Sequence, residues 1–91
     1  MPDFEKIKQL LAQNKLQPAI EMLNAIIEAT PESDEAHLLR GHAYRKMEDW
    51  KRALSDYATA RSINPDNSAA DIAYNSTVEV LNFYNTDLYN P

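Results

Sequence analysis

An all-α fold built from a repeated helix pair is what the chain predicts. Three observations carry this: a composition short of turn formers, apolar residues at three-to-four spacing, and self-similarity at a period of 34 residues. One glycine and five prolines in 91 residues leave little material for hairpin turns, while Ala, Leu, Glu, Lys and Gln, all strong helix formers, abound. Ninety-one residues make one domain, and 44% hydrophobic with 25% charged content is an ordinary globular balance. A chain this short buries only about 60 to 65% of its unfolded surface, too little for a full core and a deep catalytic cavity together.

The period rests on a register of matching residues. Pro31 and Pro65 are 34 apart, and the same offset lays Ala19 on Ala53, Ile20 on Leu54, Leu23 on Tyr57, Leu16 on Trp50 and Leu10 on Tyr44. Each pair keeps its chemical character, the signature of stacked supersecondary units. Two helices are expected in each unit: Phe4, Ile7, Leu10 and Leu11 recur at helical spacing, as do Leu16, Ile20, Leu23 and Ile27. Pro18 falls in the first turn of the second helix, where its missing N–H costs nothing. Ser33, before Asp34 and Glu35, supplies a hydroxyl cap and two carboxylates at the positive end of a helix dipole; Asp49 caps the helix that begins near Trp50. The prolines at 31 and 65 close the units. The chain divides into one helix pair over 1–33, a second over 34–67, a single helix over 68–84 and an aromatic tail over 85–91.

A helix-turn-helix unit of this period resembles the tetratricopeptide repeat, TPR. The second unit carries the match. Gly41 and Tyr44 fill the family's small and aromatic slots of the first helix; Ala53, Tyr57 and Ala60 fill the small, aromatic and small slots of the second; Asn64-Pro65-Asp66 matches the usual ending. The first unit is more degenerate, with Ile7 for Gly41, Leu10 for Tyr44, Leu23 for Tyr57 and Ile26 for Ala60. The chain's ending is similar to those of small stand-alone bacterial TPR proteins. The resemblance implies a TPR-like α-solenoid of two repeats followed by a capping helix.

Three departures are visible. His37 occupies a slot that often holds Trp, and Arg40 one that usually holds Leu, so looser or shifted packing is expected between the helices of that unit. The turn at Glu48-Asp49 lacks the usual Gly, and a left-handed Glu48 costs about 1 kcal/mol relative to Gly. Asn14, at the corresponding turn of the first unit, tolerates that geometry better.

After Pro65, Ser68-Ala69-Ala70-Asp71 reads as a capping box that opens another helix. Ala69, Ile72, Ala73, Ser76, Val80 and Phe83 form one stripe and Tyr74, Val78 and Leu81 another, so this helix is apolar around more than half its girth. A terminal cap is expected to be more polar on its outer face. Asn85 is a plausible helix stop. The ending Phe83 to Pro91 is too apolar for a solvated linker.

TPR units stack so that their first helices line a concave groove that holds peptides or helices of other proteins. The resemblance implies a groove lined by Phe4, Lys8 and Leu11, then Glu35, Leu38, His42, Arg45 and Lys46, then Ala69, Ile72 and Ser76. An apolar row flanked by Lys8, His42, Arg45 and Lys46 suits a partner segment with apolar anchors and acidic flanks. Six of the nine basic residues fall between 40 and 61, and none follows Arg61. One family subset grips a C-terminal carboxylate with Lys and Asn on successive first helices. Here Phe4 and Lys8, Leu39, and Ala69 and Ala73 occupy those places, which disfavours that clamp.

Net charge −5 would meet a phosphate backbone with a repulsive field, so nucleic acid is not an expected partner. No apolar run approaches a membrane span and the start lacks a secretory pattern, so a cytoplasmic protein is expected. Zero cysteines removes disulfides and thiolate chemistry. His37 and His42, five apart, point about 140° from each other on a helix and cannot converge on one metal. With no Gly-rich phosphate loop and no readable triad, neither cofactor, metal nor catalysis is expected. The expected function is non-catalytic protein binding in the groove. The alternative is a homodimerising module using Tyr74, Val78, Leu81, Phe83, Tyr84, Leu88 and Tyr89 of the last helix and tail.

Overall fold

The computed structural model describes residues 2–84 and consists there of five helices: α1 (Phe4–Ala12), α2 (Leu16–Ala29), α3 (Asp34–Lys46), α4 (Trp50–Ile63) and α5 (Ser68–Tyr84). Four of the five begin where a side chain stands in for a missing backbone acceptor. Asp3 accepts from the Lys6 N–H at 3.0 Å, Ser33 from Ala36 at 3.2 Å and Asp49 from Arg52 at 3.3 Å. Helix α2 alone has no side-chain cap at its first turn; Pro18 lies there and needs no acceptor. The α5 cap departs from expectation. Asn67, not Ser68, accepts from Ala70 N–H at 3.0 Å, and Ser68 is already helical. Asn67 also donates to Asp34 at 2.9 Å, joined by Asn64 at 3.0 Å, so the closing turn of one helix pair is tied to the start of α3.

The turns within each pair are built alike. Asn14 and Glu48 have φ of 60° and 59°. After α1, Lys15 N–H bonds Leu10 C=O at 2.8 Å and Asn14 N–H bonds Leu11 C=O at 3.0 Å; after α3, Asp49 bonds Tyr44 and Glu48 bonds Arg45, each at 2.9 Å. Both are Schellman closures, which require a left-handed residue.

These short turns make consecutive helices antiparallel, so α1, α3 and α5 run one way in one layer, with α2 and α4 behind them. The offset of 34 residues is a three-dimensional equivalence. Ala19 and Ala53 are both 0% exposed, as are Leu23 and Tyr57, and Leu10 and Tyr44, like Leu16 and Trp50, are half-buried. One core joins Ile7, Leu11, Ile20, Leu23, Ala36, Leu39 and Ala43 across α1, α2 and α3. A second joins Leu38, Ala53, Tyr57, Ala60, Ala70 and Ala73 across α3, α4 and α5.

Helix α5 repeats the seating of α3. Ala36, Leu39 and Ala43 are buried in the core with α2, and the residues 34 later, Ala70, Ala73 and Thr77, are buried on α5. This corrects the expected faces of the last helix. Leu81 is 5% exposed and Tyr74 is half-buried, with the Arg61 guanidinium 3.7 Å above its ring, so neither belongs to an open self-association surface. Val78 is half-buried, while Phe83 is exposed. The Tyr84 side chain, Leu88, Tyr89 and the expected stop at Asn85 lie outside the described residues. Thr77, polar but fully buried, satisfies its hydroxyl by donating to Ala73 C=O at 2.7 Å.

Candidate functional site

The first helices of the layer enclose a groove of about 450 Å³, lined by Lys8 and Leu11 of α1, Glu35, Leu38, Leu39, His42 and Lys46 of α3, and Ala69 of α5. Its floor is apolar because Leu11, Leu38 and Leu39 reach the groove with one edge while the rest of each side chain belongs to a core; each is only 4–5% exposed. The floor is thus held rigid by the same contacts that hold the fold. The rim is charged. Lys8 pairs with Glu35 at 3.5 Å across α1 and α3 and lies 3.8 Å from Glu5.

His42 forms one wall. Its Nδ1 is 2.7 Å from the Tyr57 hydroxyl and the rings meet edge to face at 5.4 Å. Burial, and then the charges of Arg45 and Lys46, lower the His42 pKa below its ordinary value. Burial raises that of Tyr57 above the usual phenol value, against an opposing pull from Arg45. A neutral imidazole therefore meets a protonated phenol at neutral pH. Tyr57 is fully buried, and its proton needs an acceptor. Donation to Nδ1 satisfies it and leaves the imidazole proton on Nε2, the nitrogen not engaged by Tyr57.

Of the groove residues read from the sequence, Lys8, Leu11, Glu35, Leu38, His42, Lys46 and Ala69 come together here. Phe4 does not. It is half-buried against the first core. Arg45 stands beside the His42–Tyr57 pair and does not line the groove. Ile72 and Ser76 lie further along α5; Ile72 is 68% exposed, and the Ser76 hydroxyl donates to Ala73 C=O at 3.2 Å. Leu39 also lines the groove, at the place where the carboxylate-gripping subset of the family carries Asn.

The looser packing expected at His37 and Arg40 is not found. Arg40 donates twice to Asp56, at 2.9 and 2.8 Å, and once to Asn24 at 2.9 Å. The hydrogen bonds to Asp56 raise the Arg40 pKa further. His37 donates from Nε2 to Pro31 C=O at 2.9 Å, and its buried Nδ1 stands 3.7 Å from Asp56 without a hydrogen-bond partner. A polar lock replaces apolar packing between α3 and α4. The neighbouring hollow of about 220 Å³, lined by Arg40, Tyr44, Arg52, Ser55 and Asp56, has both guanidinium groups engaged, Arg40 by Asp56 and Arg52 by Asp49 at 3.0 Å. Among the described residues no cluster of His, Asp or Glu is arranged to hold a metal ion, and no helix is long and apolar enough to cross a membrane.

The sequence model of the tetratricopeptide repeat matches residues 34–67, which span α3 and α4. A solution NMR structure of the Bacteroides fragilis protein BF1650 is 40% identical, covering 99% of this chain and 91% of that one, with a TM-score of 0.87. The chain belongs to the tetratricopeptide repeat family. Among curated proteins none matches it significantly. TPR units generally mediate protein–protein interaction, and the TPR fold is a non-catalytic interaction fold. In this TPR chain the first-helix layer presents the groove, and the polar lock joins that layer to the second helices behind it.

Proposed function

We propose that this TPR protein is a non-catalytic adaptor that holds a peptide or helix of a partner protein in the groove between α1, α3 and α5. One observation carries the reading: buried Leu11, Leu38 and Leu39 show an apolar floor to a groove of about 450 Å³ whose wall and edge carry His42 and Lys46, in a chain of net charge −5. An apolar floor gives affinity to an anchor side chain. The Lys46 ammonium and the Nε2–H of His42 give direction to an acidic or carbonyl oxygen beside it.

The test is affinity capture from the source cell followed by mass spectrometry, comparing the wild-type chain with Lys46→Glu and Lys8→Glu/Lys46→Glu. Both lysines are on the exposed surface, so helical content by circular dichroism stays at the wild-type level. Leu38→Asp is a poor probe because Leu38 is 5% exposed and its loss would disturb the second core. The expected result is a protein captured by wild type and lost, or strongly reduced, on both variants. Undiminished capture by the double variant rejects the groove as the binding face.

A further inference from the structure

Helix α5 carries a second, mostly apolar stripe that the fold covers only in part: Ala69 and Ile72 are exposed, and Ser76 and Val80 are half-buried. Ala69, Ile72, Ser76 and Val80 fall within a narrow arc of the helix, and run about 17 Å along it at 1.5 Å per residue. Ala70, Ala73, Thr77 and Leu81 occupy a different arc and are the residues buried in the fold. Ala69 already lines the groove, so the stripe continues the groove's apolar floor onto α5. Ile72 is 68% exposed, and the Ser76 hydroxyl is satisfied by its own helix, so the stripe presents little unmet polarity.

The two halves of this face differ in charge. The groove half carries Lys8 and Lys46 against Glu35; Lys8 is paired with Glu35, and Lys46 has no ion-pair partner among the described residues, so the positive charge there is Lys46's. The α5 half has Glu79 beside the stripe, and from residue 62 onward the sequence holds four acids, Asp66, Asp71, Glu79 and Asp87, and no Lys or Arg. Asp71 is engaged by Arg61 at 3.3 Å, which leaves Glu79 as the acid flanking the stripe.

A cationic groove and an anionic apolar helix, side by side on one face, are complementary under a two-fold rotation. Resting on the reading of the groove as a binding face, we propose that a second copy of this chain occupies it, each copy seating the Ile72–Val80 stripe of its α5 on the groove floor of the other. The contact is isologous, so every apolar and charged pairing occurs twice. It pairs Glu79 with the cationic edge of the groove and covers Ile72. It also places the dimer in direct competition with any other groove occupant, so self-association sets the concentration of open grooves.

Sedimentation equilibrium of the full chain, from micromolar to millimolar concentration, tests this. The expected result is a reversible dimer that weakens with added salt, and that Ile72→Glu, Lys46→Glu and Glu79→Lys each weaken about tenfold or more. The decisive arm mixes two variants. Lys46→Glu and Glu79→Lys each oppose like charges in their own homodimer, whereas a mixed dimer sets an acidic groove on a basic helix and a basic groove on an acidic helix. Mixing them therefore restores association. A chain that stays monomeric at millimolar concentration overturns the dimer, as does a dimer indifferent to all three substitutions or unrestored by mixing. Neither result touches the adaptor reading, which fails only if capture persists in the groove variants.

Discussion

A β-carbon built on Gly41 would stand 2.6 Å from Cε1 and 2.7 Å from Cδ1 of Tyr57, so α3 and α4 meet through bare backbone on one side and a fully buried ring on the other. The ring cannot slide aside cheaply, because His42 holds its hydroxyl at 2.7 Å. In the first helix pair the same two slots, 34 residues earlier, hold Ile7 and Leu23, both 0% exposed. Bulk has been exchanged across the interface with the contact kept. Gly41→Ala should gain about 1 kcal/mol of helix propensity and lose about 1–3 kcal/mol to overpacking, a net fall seen as a lower urea midpoint at unchanged slope. Gly41→Ala combined with Tyr57→Leu, which approximates the first pair's solution, should be more stable than the sum of the single changes. Additive effects would show that the two residues do not share this contact.

Glu48 is held at φ 59° to close α3, a conformation in which its β-carbon meets the following carbonyl. Glu48→Gly should therefore stabilise the protein by about 1 kcal/mol, or roughly 4–8 °C in Tm for a chain of this size. Asn14→Gly should gain less, since Asn visits this region more readily. Thermal unfolding of the two variants side by side measures the difference; equal gains would mean that side-chain identity does not set the cost of these turns.

These two relationships separate what the sequence makes legible from what it hides. The helix pairs and the Ser33 and Asp49 caps follow from local rules and one offset, and the two left-handed turns from the family resemblance. Seven of the residues expected in the groove meet there, because the resemblance to the tetratricopeptide repeat implies which helix face looks inward. The orientation of α5 is not legible from hydropathy, because its apolar residues spread over two arcs and hydropathy alone cannot choose the buried one. The offset could have chosen it, since Ala70, Ala73 and Thr77 follow Ala36, Leu39 and Ala43 by 34. Nothing local announces that Arg40 and Asp56 meet. The available signal was two charges in one unit where the other has Lys6 and Met22, and pairing them needs the third dimension.

Asp56 is buried, at 5% exposure, with Arg40 as its bidentate partner. Removing one charge strands the other. Arg40→Leu should cost about 3–5 kcal/mol, because the carboxylate keeps its desolvation penalty without compensation. Arg40→Leu/Asp56→Leu, which removes both charges, should recover most of that loss, although His37 and Asn24 lose neighbours. Urea unfolding of the three variants decides it. A double variant no more stable than Arg40→Leu would mean that the lock fixes the α3–α4 geometry in a way that apolar packing cannot replace.

Acid should weaken the fold in two separate windows. Burial and the nearby Arg45 and Lys46 lower the His42 pKa in the folded chain. Below the unfolded value of about 6.5 the unfolded chain takes up a proton that the folded chain resists, so this stabilisation is full above that pH and is lost as pH falls through the folded value. Asp34 acts lower on the scale. Burial pushes its carboxyl up, but hydrogen bonds from Asn67, Asn64 and the backbone outweigh it and hold the pKa below the usual carboxylate value. Its contribution is complete above the unfolded value of about 3.9 and disappears as pH falls through the lower folded value. His42→Gln keeps an acceptor for the Tyr57 hydroxyl but does not titrate. Its Tm should approach that of wild type between about pH 7 and 5, with both proteins retaining the steeper loss below. Asn67→Ala should shrink the lower window while leaving the upper one intact. Parallel profiles for wild type and His42→Gln would remove His42 from the acid response.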